Sequence, residues 1–199
     1  MLVEEQKSKL RSLYRAKRSS LSTPEVNALS KMANENLIKN LLPQILQKNP
    51  HATFGLYLPF GKEMESEMLA DFFIKNNIIF SYPIILGMDL GLDFIVSNID
   101  QKFTTSKFFS KIIEPVEGEK IIPDVLILPL LAFDSTMTRL GMGGGFFDRT
   151  IASFKNQKSE IITIGLAYEF QRAHEPLPIE NTDQKLDFIV TEKNIFLRS

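Results

Sequence analysis

Cysteine is missing from the 199 residues of this chain. Its absence excludes disulfide bonds, a thiolate nucleophile and cysteine-ligated metal sites, and is typical of proteins of a reducing compartment. Long hydrophobic runs are missing too. The longest, at 121–133, is interrupted by Pro123 and Pro129 and falls short of the ~20 residues that a membrane-spanning helix needs. Residues 1–22 are charged throughout and lack the apolar centre of a secretory signal. We therefore expect a soluble, cytoplasmic protein.

The chain also lacks a marked excess of charge of either sign. Its formal net charge is −1 at pH 7, with 24% charged and 44% hydrophobic residues, as in ordinary globular proteins. Since no global field would attract nucleic acid or an anionic membrane, we expect neither as a partner. An anionic ligand would need local groups of lysine, arginine and backbone N–H. The length fits one domain spanning 1–199, and no repeat or flexible linker divides it.

Hydrophobic periodicity predicts an alternation of helices and strands. A first helix is predicted at 4–21 from the spacing of Leu10, Leu13, Tyr14 and Leu21. A second begins at the capping sequence around Ser22 and ends or bends at Pro43. Further strands are predicted at 52–58, 78–85, 92–99, 125–133, 161–168 and 186–191, and further helices at 67–76 and 146–154. Such alternation is typical of an α/β domain whose mostly parallel sheet binds ligands beyond the carboxyl ends of its strands.

Glycine is concentrated in one segment, which follows the run at 125–133. Residues 133–149 read FDSTMTRLGMGGGFFDR, and four of the five residues at 141–145 are glycine. Because each glycine costs a helix about 1 kcal/mol, this segment is a loop. Its backbone can adopt positive φ and present successive N–H groups to an anion at the start of the next helix. With Arg139 and Arg149 on either side, the pattern indicates a phosphate-binding loop; a long turn with a solvated Arg149 is the alternative.

The same segment is similar to the signature of 5-formyltetrahydrofolate cyclo-ligases, also called methenyltetrahydrofolate synthetases. Other segments resemble this family in the same order: KSKLR at 7–11, LYLPFGKEMES at 56–66, IGLAYEFQ at 164–171 and NTDQKLDFIVTE at 181–192. The resemblance covers essentially the whole chain. It implies a single three-layer α/β/α domain with a mostly parallel, Rossmann-like sheet, of the type found in sugar-phosphate isomerases and CoA transferases.

The resemblance implies an activity as well. Family members convert 5-formyltetrahydrofolate and ATP to 5,10-methenyltetrahydrofolate, ADP and phosphate, using Mg²⁺. The formyl oxygen would attack the γ-phosphate, and N10 of the folate would displace the phosphate as the ring closes. Because an amide oxygen is a weak nucleophile, catalysis should rest on positioning and on neutralising phosphate charge. The family also implies a monomer.

Site residues follow from the resemblance, position by position. Arg139 and Asp148 would be catalytic. ATP would be bound by the first helix and the glycine-rich loop, through Lys7, Arg11, Arg139, Leu140, Gly141, Met142, Gly143, Gly144, Gly145, Phe146 and Phe147. The folate would be bound by Leu58, Glu63, Met142, Gly143, Gly144, Gly145 and Phe146. The Mg²⁺ ligands would be Asp148 and Asp183, a usual protein share for this ion.

Plain structural roles stay open for several of these side chains. Lys7 and Arg11, four residues apart on one helix face, also fit a solvated basic helix. Glu63 also fits an acid that precedes a helix, and Asp183 an ordinary loop residue.

The sequence departs from the family pattern in the loop and leaves two other functions open. Phe146-Phe147 stands where members often have tyrosine, and Met142 and Gly144 stand where some have basic residues; we expect effects on affinity rather than on reaction type. One alternative function is a non-catalytic nucleotide- or folate-binding module. The other is an enzyme resembling sugar-phosphate isomerases or CoA transferases, which would not consume ATP.

Overall fold

The computed structural model describes residues 2–158 and 160–198. Its α-helices are α1 (Val3–Ser19), α2 (Thr23–Asn36), α3 (Leu42–Lys48), α4 (Glu67–Lys75) and α5 (Phe146–Gln157). Its strands are β1 (Phe54–Gly55), β2 (Phe80–Ile85), β3 (Leu92–Ser97), β4 (Phe103–Thr105), β5 (Ile113–Pro115), β6 (Lys120–Ile121), β7 (Val125–Pro129), β8 (Ala132–Phe133), β9 (Arg139–Leu140), β10 (Ile162–Leu166), β11 (Phe188–Val190) and β12 (Ile195–Leu197). A 3₁₀ turn, Glu169–Gln171, follows β10. Within these described residues, none of the helices has the length and apolarity to cross a bilayer.

One 8-stranded sheet runs through the molecule in the order β12-β11-β10-β7-β1-β2-β3-β6. Neighbouring strands from β11 to β2 are parallel. At the two sides of this parallel part, β12 and β3 pair antiparallel with their neighbours. The pairs β4–β5 and β8–β9 form separate small antiparallel sheets. The α/β fold with a mostly parallel sheet, predicted from the sequence, is confirmed.

Strand β7 has no face toward solvent. Val125 and Ile127 belong to the apolar cluster that includes residues of α2, α3 and α4, whereas Leu126 and Leu128 belong to the cluster that includes residues of α5. All four side chains are fully buried. A parallel strand covered on both faces requires continuous apolar sequence, which these residues supply. The sheet is therefore the middle of three layers.

Helix α1 buries a polar face. Tyr14 packs in a third apolar cluster with residues of β8 and β9. On the same helix Lys7 and Arg18 are buried, at 3% and 5% exposure, whereas Leu13 is 48% exposed. The prediction that this helix buries an apolar stripe is thus partly wrong. Its inward face also carries cations that contact carboxylates. Helix α1 lies beside the β8–β9 pair, which leads into the glycine-rich loop.

Helix α2 begins where its capping sequence predicts. The backbone N–H of Ser22 donates to Glu25 Oε2 over 2.7 Å, and Ser22 Oγ accepts from the N–H of Glu25 over 3.4 Å. These reciprocal bonds satisfy donors at the helix start. The end was predicted near Pro43. There a π-helical turn, Leu37–Leu41, joins α2 to α3, and Pro43, which has no N–H to donate, lies in the first turn of α3.

The apolar sequence at 125–133 predicted one continuous strand, and this prediction is wrong. Strand β7 ends at Pro129, and the chain continues into the β8–β9 pair. Buried Gln171 donates from Nε2 to the carbonyl of Leu130 over 2.7 Å, which satisfies a backbone acceptor just after the strand. The strand predicted at 186–191 was also expected to be the last one, but β12 follows it.

Gly165 in β10 allows close packing of the sheet. A Cβ at this position would lie 2.7 Å from Leu130 Cδ2 and 2.7 Å from Leu186 Cδ1. We expect Gly165→Ala to lower the free energy of unfolding by about 1–3 kcal/mol, because buried side chains must shift. Gly141→Ala is the control, since a Cβ there meets nothing within 4 Å, and should change it by less than about 0.5 kcal/mol. Urea denaturation compares the two; equal stabilities would contradict this packing.

Candidate active site

A cleft of about 1160 Å³ opens at the carboxyl edge of the parallel strands. Its lining includes Ile85 at the end of β2, Pro129 at the end of β7 and Leu58 shortly after β1. Ligands of open α/β sheets bind at this edge, where loops from neighbouring strands diverge. Every residue that the sequence analysis assigned to ATP, to the folate or to the metal lines this cleft. The structure thus brings all the predicted site residues together.

The β8–β9 pair delivers Arg139 to the cleft. In the turn between the strands, the carboxylate of Asp134 accepts from the N–H groups of Thr136 over 2.8 Å and Thr138 over 3.2 Å. Aspartate stabilises such turns by bonding to the backbone that follows it. Met137 completes the turn with a φ of 64°. Arg139 then leads from β9 into the glycine-rich loop. The sequence predicted that this loop directly follows the central strand, but the β8–β9 pair lies between them.

The glycine-rich loop, residues 141–145, has the predicted conformation. Gly143 and Gly145 have φ angles of 104° and 67°, which favour glycine. Gly145 is the N-cap of α5, so the loop ends where the helix dipole is positive and attracts anions. Arg11 rests against the loop: a Cβ at Gly143 would lie 3.3 Å from its Cζ, and its Nε donates to the carbonyl of Gly141 over 3.3 Å.

Charged residues of the cleft are paired with one another. Lys7 Nζ lies 2.5 Å from Asp183 Oδ2 and 2.6 Å from Glu180 Oε2. Arg139 Nη2 lies 2.7 Å from Asp148 Oδ1. Each of these two cations, predicted to bind phosphate, therefore contacts a carboxylate predicted to bind the metal. The pairing offsets the cost of burying charge, which is high for an isolated ion.

Burial and pairing shift the pKa values of the two cations in opposite directions. Burial alone would lower the pKa of Lys7, but the hydrogen bonds and charges of Asp183 and Glu180 outweigh it and raise this pKa above 10.5. For Arg139, burial prevails over the attraction of Asp148 and Asp183 and lowers its pKa below the ordinary value of an arginine. Both side chains remain cationic at neutral pH. Both aspartates thus favour the charged form of Arg139.

The carboxylates of Asp148 and Asp183, the predicted metal ligands, also accept from backbone N–H groups. Asp148 Oδ1 also accepts from the N–H of Gln184 over 2.9 Å, and Asp183 Oδ2 from that of Glu180 over 2.8 Å. Across residues 2–158 and 160–198, no group of three or more histidine, aspartate or glutamate side chains is arranged to hold a metal. Mg²⁺ requires no such group, because it is commonly held by one or two carboxylates together with water and substrate phosphates.

A buried carboxylate completes the lining from the segment after β1. Glu63 is 6% exposed, and its Oε2 accepts from the N–H of Phe60 over 3.0 Å. Its Oε1 lies 3.4 Å from Nη1 of Arg18. Burial raises the pKa of Glu63 above its ordinary 4.5, while the charge of Arg18 and the Phe60 hydrogen bond act against this rise. The cleft thus holds a buried carboxyl group whose pKa is raised by burial and lowered by Arg18, with burial the larger effect.

Arg149 has contacts other than those predicted. Its guanidinium donates to the carbonyl oxygens of Leu90 over 3.0 Å, Met88 over 2.9 Å and Gly144 over 2.8 Å. It also lies over the ring of Phe146, 5.1 Å from the centroid. These contacts fasten the glycine-rich loop to the segment before β3, so Arg149 supports the loop's shape.

Sequence reasoning missed Arg18, Glu180 and the segment 108–114, all of which contribute to the cleft or contact its residues. A signal for Arg18 was present. Lys7, Arg11 and Arg18 follow one another at i, i+4 and i+11, which places them within about 40° of each other around a helix. No comparable pattern marks Glu180 or 108–114, since both depend on how distant segments meet.

Comparison with known proteins decides the family. Residues 3–192 match the model of the 5-formyltetrahydrofolate cyclo-ligase family. The chain belongs to this family. The 5-formyltetrahydrofolate cyclo-ligase of Escherichia coli K12 is 31% identical over 72% of this chain and 80% of its own length. That of Haemophilus influenzae is 29% identical over 92% of this chain and 95% of its own.

Known structures of the cyclo-ligase family agree with this assignment. The 5,10-methenyltetrahydrofolate synthetase of Aquifex aeolicus is 30% identical, with a TM-score of 0.79 over 96% of this chain and 92% of that one. The synthetase of Mycoplasma pneumoniae is 26% identical, with a TM-score of 0.72 over 94% and 98%. The resemblance seen in the sequence is confirmed, and this cyclo-ligase is an enzyme rather than a binding module or a sugar-phosphate isomerase.

Substitution of Glu63 should alter how stability depends on pH. Because its pKa in the folded protein is raised above 4.5, ionisation of Glu63 costs the folded state free energy as the pH rises above the unfolded value. Glutamine does not ionise. We expect the free energy of unfolding of Glu63→Gln, minus that of the wild type, to increase as the pH rises above 4.5, the ordinary pKa of a glutamate.

Urea denaturation at several pH values measures this difference. Glu175→Gln, at an exposed position, is the control for the loss of one carboxylate. A Glu63→Gln difference that stays constant with pH would contradict the burial argument.

Proposed function

We propose that this cyclo-ligase closes the ring of 5-formyltetrahydrofolate to form 5,10-methenyltetrahydrofolate, converting ATP to ADP and phosphate. The observation that carries the proposal is one shared cleft. It holds a glycine-rich loop with cations for phosphate, and a buried carboxylate, Glu63, that suits the N–H donors of a pterin ring. The family of the chain supplies the reaction.

ATP is proposed to bind at the glycine-rich loop and the start of α5, with Lys7 and Arg11 of α1 and Arg139 of β9 at its phosphates. Charge-assisted hydrogen bonds contribute roughly 1.5–3 kcal/mol each, so these residues suffice to hold a polyphosphate. Since Lys7 and Arg139 already contact carboxylates, phosphate oxygens replace those partners on binding. A Mg²⁺ ion held by Asp148 and Asp183 would neutralise phosphate charge.

The folate is proposed to lie against Leu58, Glu63 and the loop residues 142–146, so that its formyl oxygen meets the γ-phosphate. The formyl oxygen attacks phosphorus and ADP leaves. N10 then attacks the formyl carbon and loses its proton, which the departing phosphate can accept, and phosphate leaves with the former formyl oxygen as the five-membered ring closes. Arg139 is proposed to stabilise charge on the transferred phosphoryl group, which is the main catalytic demand of such a transfer.

Several finer statements stay predictions from the sequence. They are the dependence on Mg²⁺, the monomeric state, the cytoplasmic location, and the lack of nucleic-acid and membrane partners. Each follows from the composition of the chain or from the family resemblance.

The reaction gives a direct optical test. Purified protein with 5-formyltetrahydrofolate and Mg-ATP should raise the near-ultraviolet absorbance of the methenyl product, and omission of ATP should abolish the rise. No rise at high protein concentration would contradict the enzyme proposal.

Asp148→Asn tests the charged group at the phosphates. Asparagine keeps an oxygen that can accept from Arg139 and from Gln184, so the fold should persist, but it removes the negative charge. We expect kcat to fall roughly 100-fold, the usual scale for one electrostatic group at a transferring centre. Asp71→Asn, at an exposed position of α4, should leave kcat unchanged. If kcat of Asp148→Asn equals that of the wild type, Asp148 is not a catalytic residue.

A further inference from the structure

Arg18, in the last turn of α1, is buried, whereas cations near it on the same helix are exposed. It is 5% exposed, although Arg15 and Lys17 on the same helix are exposed. A guanidinium does not lose its proton in a protein, so its burial needs a compensating partner. Its Nη1 lies 3.4 Å from Glu63 Oε1, and its Nη2 lies 3.8 Å from Sδ of Met142.

These two contacts connect Arg18 to two separate segments of the cleft lining. Glu63 comes from the segment after β1, and Met142 comes from the glycine-rich loop. Both line the cleft, whereas Arg18 contacts them without belonging to the lining. Arg18 can therefore act on a ligand only through these neighbours.

Arg18 is the cation that contacts the carboxylate of Glu63. Lys62, the adjacent cation in the sequence, donates instead to the carbonyl oxygens of Ser19, over 2.8 Å, and of Leu21. The second oxygen of Glu63 is held by the N–H of Phe60 over 3.0 Å. One oxygen is thus oriented by a backbone donor and the other by Arg18. Such support fixes a buried group before its ligand arrives and lowers the entropy cost of binding.

We propose that Arg18 is a positioning residue for the folate, which holds the carboxylate of Glu63 in place and ties it to Met142 of the glycine-rich loop. This inference rests on the proposed folate role of Glu63. It divides the residues of one helix face between the two substrates, since Lys7 and Arg11 bind the phosphates of ATP whereas Arg18 acts on the folate. The helix thereby places the two substrates relative to each other.

Arg18→Met and Arg18→Lys test the inference by steady-state kinetics. Methionine keeps most of the side-chain length without the charge, so KM for 5-formyltetrahydrofolate should rise about tenfold or more, the scale of one lost charge-assisted hydrogen bond. KM for ATP should change less than about twofold, because the ATP residues keep their contacts. Lysine restores the charge and should recover part of the loss. Arg15→Met is the matched control and should change neither constant.

The double variant Arg18→Met/Glu63→Gln completes the test, and it also removes the uncompensated charge that would hinder folding of Arg18→Met alone. If Arg18 acts through Glu63, the double variant should have the same folate KM as Glu63→Gln. Additive effects, or an equal rise of both KM values in Arg18→Met, would overturn the inference. An unchanged folate KM in an active Glu63→Gln enzyme would also overturn it while leaving the cyclo-ligase function intact. Failure of that function would show instead as no cyclisation by the wild type.

Discussion

The burial of β7 on both faces is the constraint on which the arrangement of this cyclo-ligase depends. Since neither face of the strand can carry a polar group, the charged residues of this part of the chain must lie beyond its ends, and those of the cleft follow its carboxyl end. The chain turns there through the β8–β9 pair, whose geometry depends on the carboxylate of Asp134. Arg139 and the glycine-rich loop come next, at the edge where loops from the neighbouring strands meet. The apolar core thus determines where the polar site lies.

Inside the cleft, the opposing charges stabilise both the fold and the site. Lys7 and Asp183 are 176 positions apart in the chain, yet their contact joins α1 to the segment before β11. The Arg139–Asp148 pair joins β9 to α5. Isolated charges at these depths would be costly, so each makes the burial of its partner tolerable. The same pairing keeps cations and carboxylates close together, the combination that a metal–polyphosphate complex needs.

Helix α1 links the two proposed substrates. Its inward face carries Lys7, Arg11 and Arg18, which contact the segment 180–183, the glycine-rich loop and Glu63 respectively. A rigid helix holds these groups at fixed separations, because each residue adds about 1.5 Å of rise. Transfer between a formyl oxygen and a γ-phosphate requires this kind of mutual placement. In this respect the helix contributes geometry to the reaction as well as charge.

The sequence by itself determined the α/β class, the capped start of α2, the loop at 141–145 and, through the family resemblance, a set of site residues that all line one cleft. These features depend on local composition and spacing: continuous apolar residues, a capping box, clustered glycines. Only the tertiary structure decided that the run at 125–133 breaks at Pro129, that Arg149 is fastened to backbone carbonyls, that Lys7 and Arg139 are paired with the two aspartates, and that Arg18 reaches Glu63. The reason is physical. The local sequence determines the charge of a side chain and the face of the helix or strand on which it lies. Which partner the side chain contacts depends on how segments far apart in the chain pack against each other.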